Sequence, residues 1–360
     1  MKRICEFLIN AAGWTLLFVC IAAFGIAAAA SADAMMDGSA ASFLPGLELA
    51  VLFLVFAVAV HELGHAIAAK LAGWDVHLFA LFGIAYLPKR GLIGRGGGMG
   101  MVLATPPLGG EWRKGWARYV FGGPLANFAV AALAALSMVF LRPHLADVAG
   151  GIAATSALTG IAALAPIRRA GSSSDGAKLL DVARGRPPGE AARALSWLTG
   201  LVCDGMAPGQ WDPAPIHVLE SGQVEPGLRE ARSAMVATYY LAVGDIQHAH
   251  TFLERSDSDG PDGCADLRAF AIAMVERDAG RADKVLDRVP PRARSYPFWR
   301  ARAAILALRG QYDEARRAVA CARDAIRKQR EQPVRYDLDL FDIIERGEPL
   351  PMASERAQAA

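Results

Sequence analysis

A chain of 360 residues, 53% of them hydrophobic and with a formal net charge of +2, has room for two or three domains and no surplus of positive charge for nucleic acid. It carries no basic stripe interleaved with aromatics, which excludes nucleic acid as a partner. The five cysteines, at positions 5, 20, 203, 264 and 321, form no CxxC pair and are odd in number, which excludes a disulfide framework.

Mean hydropathy is +0.25, but the apolar residues concentrate before residue 170, and the later part is rich in Arg, Asp and Ala. A membrane domain followed by a soluble one is expected. Four apolar segments cover residues 7–30, 47–72, 119–141 and 148–166. Each is near the roughly 20 residues that a helix needs to cross the hydrocarbon of a bilayer. The first segment also has the form of a signal peptide, with Lys2 and Arg3 ahead of it and ASADA after it, so residues 1–30 are either retained or cleaved. Its apolar run is longer than an ordinary signal core.

The loops set an orientation. Residues 31–46 contain no Lys or Arg, and residues 142–147 contain only Arg142. The 73–118 connection carries Lys89, Arg90, Arg95, Arg113, Lys114 and Arg118, and Arg168 and Arg169 follow the fourth segment. By the positive-inside rule both termini and the 73–118 connection are cytoplasmic. The composition fits a bacterial inner membrane.

The second segment ends in VHELGHAIAAKLAGW, residues 60–74. An ionisable group near the bilayer centre costs roughly 2.5–3.5 kcal/mol, so His61, Glu62 and His65 within an apolar helix need compensation. Positions i and i+4 share one helix face, and two neutral imidazoles there can coordinate one Zn²⁺. Glu62 points to an adjacent side, where it can act as a base on water without binding the metal, which makes the cluster a candidate hydrolytic site. A catalytic zinc needs a third protein ligand. Asp175, in SSSDGAKLLD, is one candidate, and Glu111, His77 and Asp181 are its rivals. An N-cap is the plain structural alternative for Asp175.

Between the second and third segments, DVHLFALFGIAYLP reads as a short apolar β-hairpin and GRGGGMGMVLATPPLGG as a Gly-rich extended piece, with a flexible loop resting on the membrane interface as the alternative. The third segment opens with GGPLAN, residues 122–127. After RGRPPGE, residues 184–190, the composition becomes that of a helical soluble domain. Three segments there, Ala237–Gly244–Ala249, Ala273–Gly280–Val285 and Ala303–Gly310–Ala315, share one spacing, with glycines 36 and 30 residues apart. That straddles the period of about 34 of a TPR helix–turn–helix repeat, and residues 306–326 resemble one; a generic helical bundle is the alternative. Such an array presents a groove for a protein or peptide partner. His248 and His250 read as a solvated helix face, and DSDGPDG, residues 257–263, as a turn, since it lacks the glutamate that closes a calcium loop.

HELGH in a transmembrane helix, GGPLAN opening the next, and Pro166 with Ser174–Asp175–Gly176 after the following one together resemble the site-2 protease (M50) family of intramembrane zinc metalloproteases. The likeness covers residues 47–182. It implies that His61, His65 and Asp175 bind zinc, that Glu62 activates water, and that Gly123 and Asn127 form the family's GxxxN element beside the active site, where they position substrate. It also implies that the 74–110 stretch holds substrate in extended form. Two departures stand out: position 163 is Ala where the family has Asn, and the gap from Pro166 to Asp175 is longer than usual.

The expected architecture is an α-helical membrane bundle of about four transmembrane helices with a short membrane-associated β-hairpin region, followed by a soluble all-α TPR-like domain. Its divisions are residues 1–183, the zinc metalloprotease domain; 184–215, a linker and connecting helix; 216–346, the cytosolic repeats; and 347–360, a disordered tail. The expected function is cleavage of transmembrane segments in regulated intramembrane proteolysis. The alternatives are an HExxH protease anchored in the membrane and acting on cytosolic substrates, with Glu111 as third ligand, and a non-catalytic scaffold that works through its repeats.

Overall fold

A computed structural model of the chain describes residue 15 and residues 43–93, 99–107, 112–169, 172–186, 188–255, 264–329 and 335–351. Apart from residue 15, the apolar segment expected over residues 7–30 lies outside the described residues, as does Glu111. The described chain is mostly helical and divides into two compact units, residues 1–188 and 189–360.

In the first unit, three apolar runs become α1 (Phe43–Leu71), α2 (Trp112–Ser137) and α3 (Pro143–Leu164), packed against one another. Each contains a stretch long and apolar enough to cross a membrane: Glu48–Leu71, Gly115–Ser137 and Leu145–Leu164. Their polarity is inverted relative to a water-soluble bundle. Leu52, Phe56, Leu63 and Ile67 on α1 and Leu125, Leu133 and Leu136 on α2 are exposed, whereas His61, Glu62, His65, Asn127, Thr155 and Ser156 are buried. Apolar surface outside and polar groups inside is the arrangement that a lipid solvent favours. α2 begins at Trp112, ahead of the apolar run at 119, because Trp112, Trp116 and Tyr119 cluster on Trp74 at the end of α1, with ring centroids 5.2–6.3 Å from the Trp74 ring.

α1 and α2 meet through small residues one turn apart on each helix, Gly64 and Ala68 against Gly122 and Ala126. A Cβ on Gly64 would collide with the Gly122 carbonyl and come 2.6 Å from the Ala126 Cβ, and one on Gly122 would come 2.5 Å from the Ala68 Cβ. This small-xxx-small contact lets the backbones touch where apolar burial alone supplies no drive in lipid.

The described residues between α1 and α2 form a four-stranded antiparallel sheet, in which the hairpin expected over residues 75–88 supplies two strands and the Gly-rich extended piece a third. β1 (Asp75–Leu81), β2 (Ile84–Leu87), β3 (Gly91–Ile93) and β4 (Gly100–Thr105) lie in the order β3-β2-β1-β4. The turn between β1 and β2 places Phe82 and Gly83 at positive φ. The β1–β4 register shifts between Val76 and Leu78, so His77 sits at a bulge and its ring bonds Thr105 Oγ1 at 2.8 Å. β1 and β4 lie against α1.

The long interval from Pro166 to Asp175 folds back on itself. β5 (Arg168–Arg169) pairs with β6 (Ser172–Ser173), and the Ser174 backbone N–H donates to the Ile167 carbonyl at 2.9 Å. Ser174 Oγ then accepts from the Ala177 N–H at 3.3 Å, capping α4 (Asp175–Ala183). The extra residues are spent in the hairpin, and α4 starts beside the end of α3. Gly176 is needed there because a Cβ would overlap the Leu164 carbonyl.

In the second unit, α5 (Glu190–Asp204) and α6 (Pro213–Ser221) precede three helical hairpins. These are α7 (Arg229–Ala242) with α8 (Ile246–Arg255), α9 (Ala265–Val275) with α10 (Ala279–Leu286), and α11 (Tyr296–Leu308) with α12 (Tyr312–Gln329); α13 (Arg335–Arg346) follows. One core runs through all of them. It includes Leu195 and Leu198 from the stretch expected as a linker and connecting helix, 184–215, and Ile216 beyond it. The second hairpin departs from the expected register. Left-handed residues turn the three hairpins at Gly244, Arg277 and Gly310, each 33 residues after the last, and Gly280 lies within α10. Five residues beyond each turn stand Ala249, Ala282 and Ala315, all fully buried where the helices cross.

The core continues past residue 346, into the expected tail. Leu350 is buried and its carbonyl accepts from Arg277 Nη1 at 3.1 Å. α13 is held by a buried Asp337, which takes hydrogen bonds from the Tyr296 hydroxyl and, at 3.1 Å, from Arg300. His248 and His250 pair with Glu220 at 2.6 Å and Glu276 at 2.8 Å. Burial pushes the Cys264 thiol up to about 12, so this cysteine is a packing group rather than a nucleophile.

Candidate metal centre

α1 presents His61 and His65 on one face, and the return through β5, β6 and Ser174 sets Asp175 opposite them. Asp175 Oδ2 is 3.0 Å from His61 Nε2 and 3.1 Å from His65 Nε2, and the two Nε2 atoms are 3.2 Å apart. All three side chains are buried, and they form the one His/Cys/Asp/Glu cluster with metal-ligand spacing among the described residues.

The proton inventory shows what this triangle requires. His65 Nδ1 donates to the Tyr119 carbonyl at 2.8 Å, since a carbonyl can only accept. In the neutral ring Nε2 is then a lone pair, and it faces a carboxylate oxygen 3.1 Å away. Two acceptors at that distance repel unless a proton or a metal cation lies between them. Donors bonded to zinc at about 2.0–2.1 Å in a tetrahedral shell sit about 3.3 Å apart, so two imidazoles and a carboxylate in this triangle fit zinc, with the fourth position open.

The surroundings favour that reading. A Cβ on Gly123 would come 2.5 Å from His65 Nε2 and 2.7 Å from His61 Nε2, so the glycine keeps the space over the two nitrogens clear. Lys178, one turn along α4, holds the other Asp175 oxygen at 3.3 Å and leaves Oδ2 turned to the histidines. Asn127 is fully buried beside His61, with Nδ2 3.3 Å from Nδ1. Glu62 is buried next to the cluster and takes no part in the triangle. Its carboxylate lies under the start of β4, where a Cβ on Gly100 would overlap it.

His61, Glu62, His65, Gly123, Asn127 and Asp175 are therefore brought together, and the rivals for third ligand that are described are not. His77 is engaged with Thr105, and Asp181 pairs with Arg168 at 2.6 Å. Sequence reasoning missed three contributors: the Tyr119 carbonyl, Lys178 and Gly100. Lys178 stands three residues after Asp175, where a helical carboxylate meets a cation, and that spacing was the available signal. Tyr119 acts through its backbone and through a hydroxyl bond to the Val102 carbonyl at 2.6 Å, neither of which leaves a mark in sequence.

A family model, Peptidase family M50, matches residues 49–254, more than half of the chain. Nothing matches among curated proteins or among solved structures.

Proposed function

The chain belongs to peptidase family M50, and on that premise we propose that it is an intramembrane zinc endopeptidase that cuts transmembrane segments of membrane proteins, with His61, His65 and Asp175 as zinc ligands and Glu62 as general base. The observation that carries the reading is the triangle of three buried donor atoms 3.0–3.2 Å apart with a buried carboxylate beside it, two of the donors and that carboxylate standing on a helix apolar enough to cross a membrane. His61 lies ten residues from the Leu71 end of α1, or about 15 Å along the axis, well within the apolar stretch.

Bound zinc supplies a Lewis acid that polarises the scissile carbonyl and acidifies water. The protein's own groups handle the protons. Glu62 takes a proton from the attacking water at a carboxylate oxygen and returns it to the leaving amide nitrogen, which departs as an amine. Burial of Glu62 keeps bulk water from competing. The peptide must be extended at the cut, because a helical carbonyl is engaged with the amide four residues on. Among the described residues β4 pairs only with β1, and its first residue lies over Glu62. A substrate strand added to the outer edge of β4 would pass directly by the base.

The same reading puts both termini on the cytoplasmic face of a bacterial inner membrane. The helical hairpins of residues 229–329 act as TPR-like repeats that bind a protein partner or recruit the substrate for regulated intramembrane proteolysis. Substituting Glu62→Gln tests the enzyme. Reconstituted in lipid vesicles with a model transmembrane substrate, the wild type cleaves within the membrane. The variant loses about 10²–10⁴-fold in rate while keeping its zinc. Equal cleavage by both proteins would remove Glu62 from the reaction.

A further inference from the structure

We propose that Asn127 is the residue that orients His61 for the metal, its side-chain carbonyl accepting the Nδ1 proton of that imidazole. The inference rests on the zinc reading above and reassigns a residue expected to hold substrate. Asn127 is fully buried on α2. Its nearest polar neighbour is His61 Nδ1 at 3.3 Å, and its Oδ1 is buried with no hydrogen-bond partner.

The two ends of a carboxamide are alike in size, and a half-turn about its last torsion exchanges them. With Nδ2 toward His61, Nδ1 must accept, the single proton of the neutral ring falls on Nε2, and an N–H points into the ligand triangle. That arrangement denies the metal a lone pair. With Oδ1 toward His61, the ring proton sits on Nδ1, Oδ1 accepts it, and the Nε2 lone pair faces Asp175 and His65.

Gly160 on α3 faces Asn127, since a Cβ there would come 3.4 Å from the Asn127 Cβ. His61 is then matched to His65, whose Nδ1 proton goes to the Tyr119 carbonyl at 2.8 Å. Both histidines are fixed in the tautomer that ligation demands, one by backbone and one by an amide. Ligating histidines almost always donate their other ring N–H in this way, and removing the acceptor typically lowers metal affinity 10–100-fold.

The test is zinc affinity, measured by chelator competition on the full-length protein in detergent, for wild type, Asn127→Leu and Asn127→Asp. Leucine keeps the volume and removes the acceptor; affinity is expected to fall about 10–100-fold, while the metal-free melting temperature stays within a few degrees. Aspartate keeps an acceptor toward Nδ1 and is expected to hold zinc at least as tightly as asparagine. Wild-type affinity in Asn127→Leu, with loss of cleavage confined to KM, would overturn the proposal in favour of a substrate contact. Should the leucine variant not fold, the aspartate variant decides alone, because weaker zinc binding by it contradicts the acceptor role. If wild type itself binds no zinc, the zinc reading has failed, and that result is distinct from equal binding by wild type and Asn127→Leu.

Discussion

At position 123 a single hydrogen stands where any other residue would place a carbon between two imidazoles. A methyl group there would come 2.5 and 2.7 Å from the Nε2 atoms of His65 and His61, so Gly123→Ala must push the rings or α2 aside. We expect that variant to insert normally and to lose most of its zinc affinity, read by the same chelator competition; undiminished affinity would show that the helix yields without cost. His61, Glu62 and His65 were legible in sequence because helical periodicity alone puts i and i+4 on one face. Asp175 was not fixed by that argument, since it arrives from another helix, and only the return through Ser174 separates it from Asp181, which faces Arg168 instead. Gly100 and the Tyr119 carbonyl act by tertiary proximity, and no periodicity announces them.

Among elements, the helical hairpins show how a glycine can mislead. Gly280 fits a spacing, yet the left-handed turn of the second hairpin is made by Arg277 at φ 59°, and Gly280 belongs to α10. With Arg277 as the turn, the repeat is uniform from Gly244 to Gly310. The left-handed conformation costs a residue with a Cβ roughly 1–2 kcal/mol. Gly310 has φ +73° and nothing near its missing Cβ, so Gly310→Ala isolates that strain. Chemical denaturation is expected to show a loss of about 1–2 kcal/mol, and no loss would mean that the turn relaxes to another conformation. The β5–β6 hairpin gives the converse lesson: a gap that looked too long in sequence is taken up by residues that pair with each other and return the chain to the end of α3. The 74–105 strands were legible as extended chain, but their number and order were not, because pairing β4 onto β1 depends on contact with α1.

At the level of the whole molecule, the composition shift near residue 170 and the division at residues 188 and 189 describe the same change, from a lipid-adapted bundle to a water-adapted one. Every member of the second unit's core lies between Ala191 and Leu350. Residues 189–360 produced alone are therefore expected to be helical and to melt cooperatively by circular dichroism; a broad, non-cooperative transition would mean that the unit needs the membrane domain. The family match runs from 49 to 254 and so crosses this division, which places α5 to α8 within the family's own pattern. Metal content of detergent-purified wild type, Asp175→Ala and Glu62→Ala decides whether His61, His65 and Asp175 hold a zinc ion which Glu62 serves without binding. About one zinc per chain in wild type and Glu62→Ala, with its loss in Asp175→Ala, is the result expected of three protein ligands and a separate base. Full zinc in Asp175→Ala, or none in wild type, would contradict it.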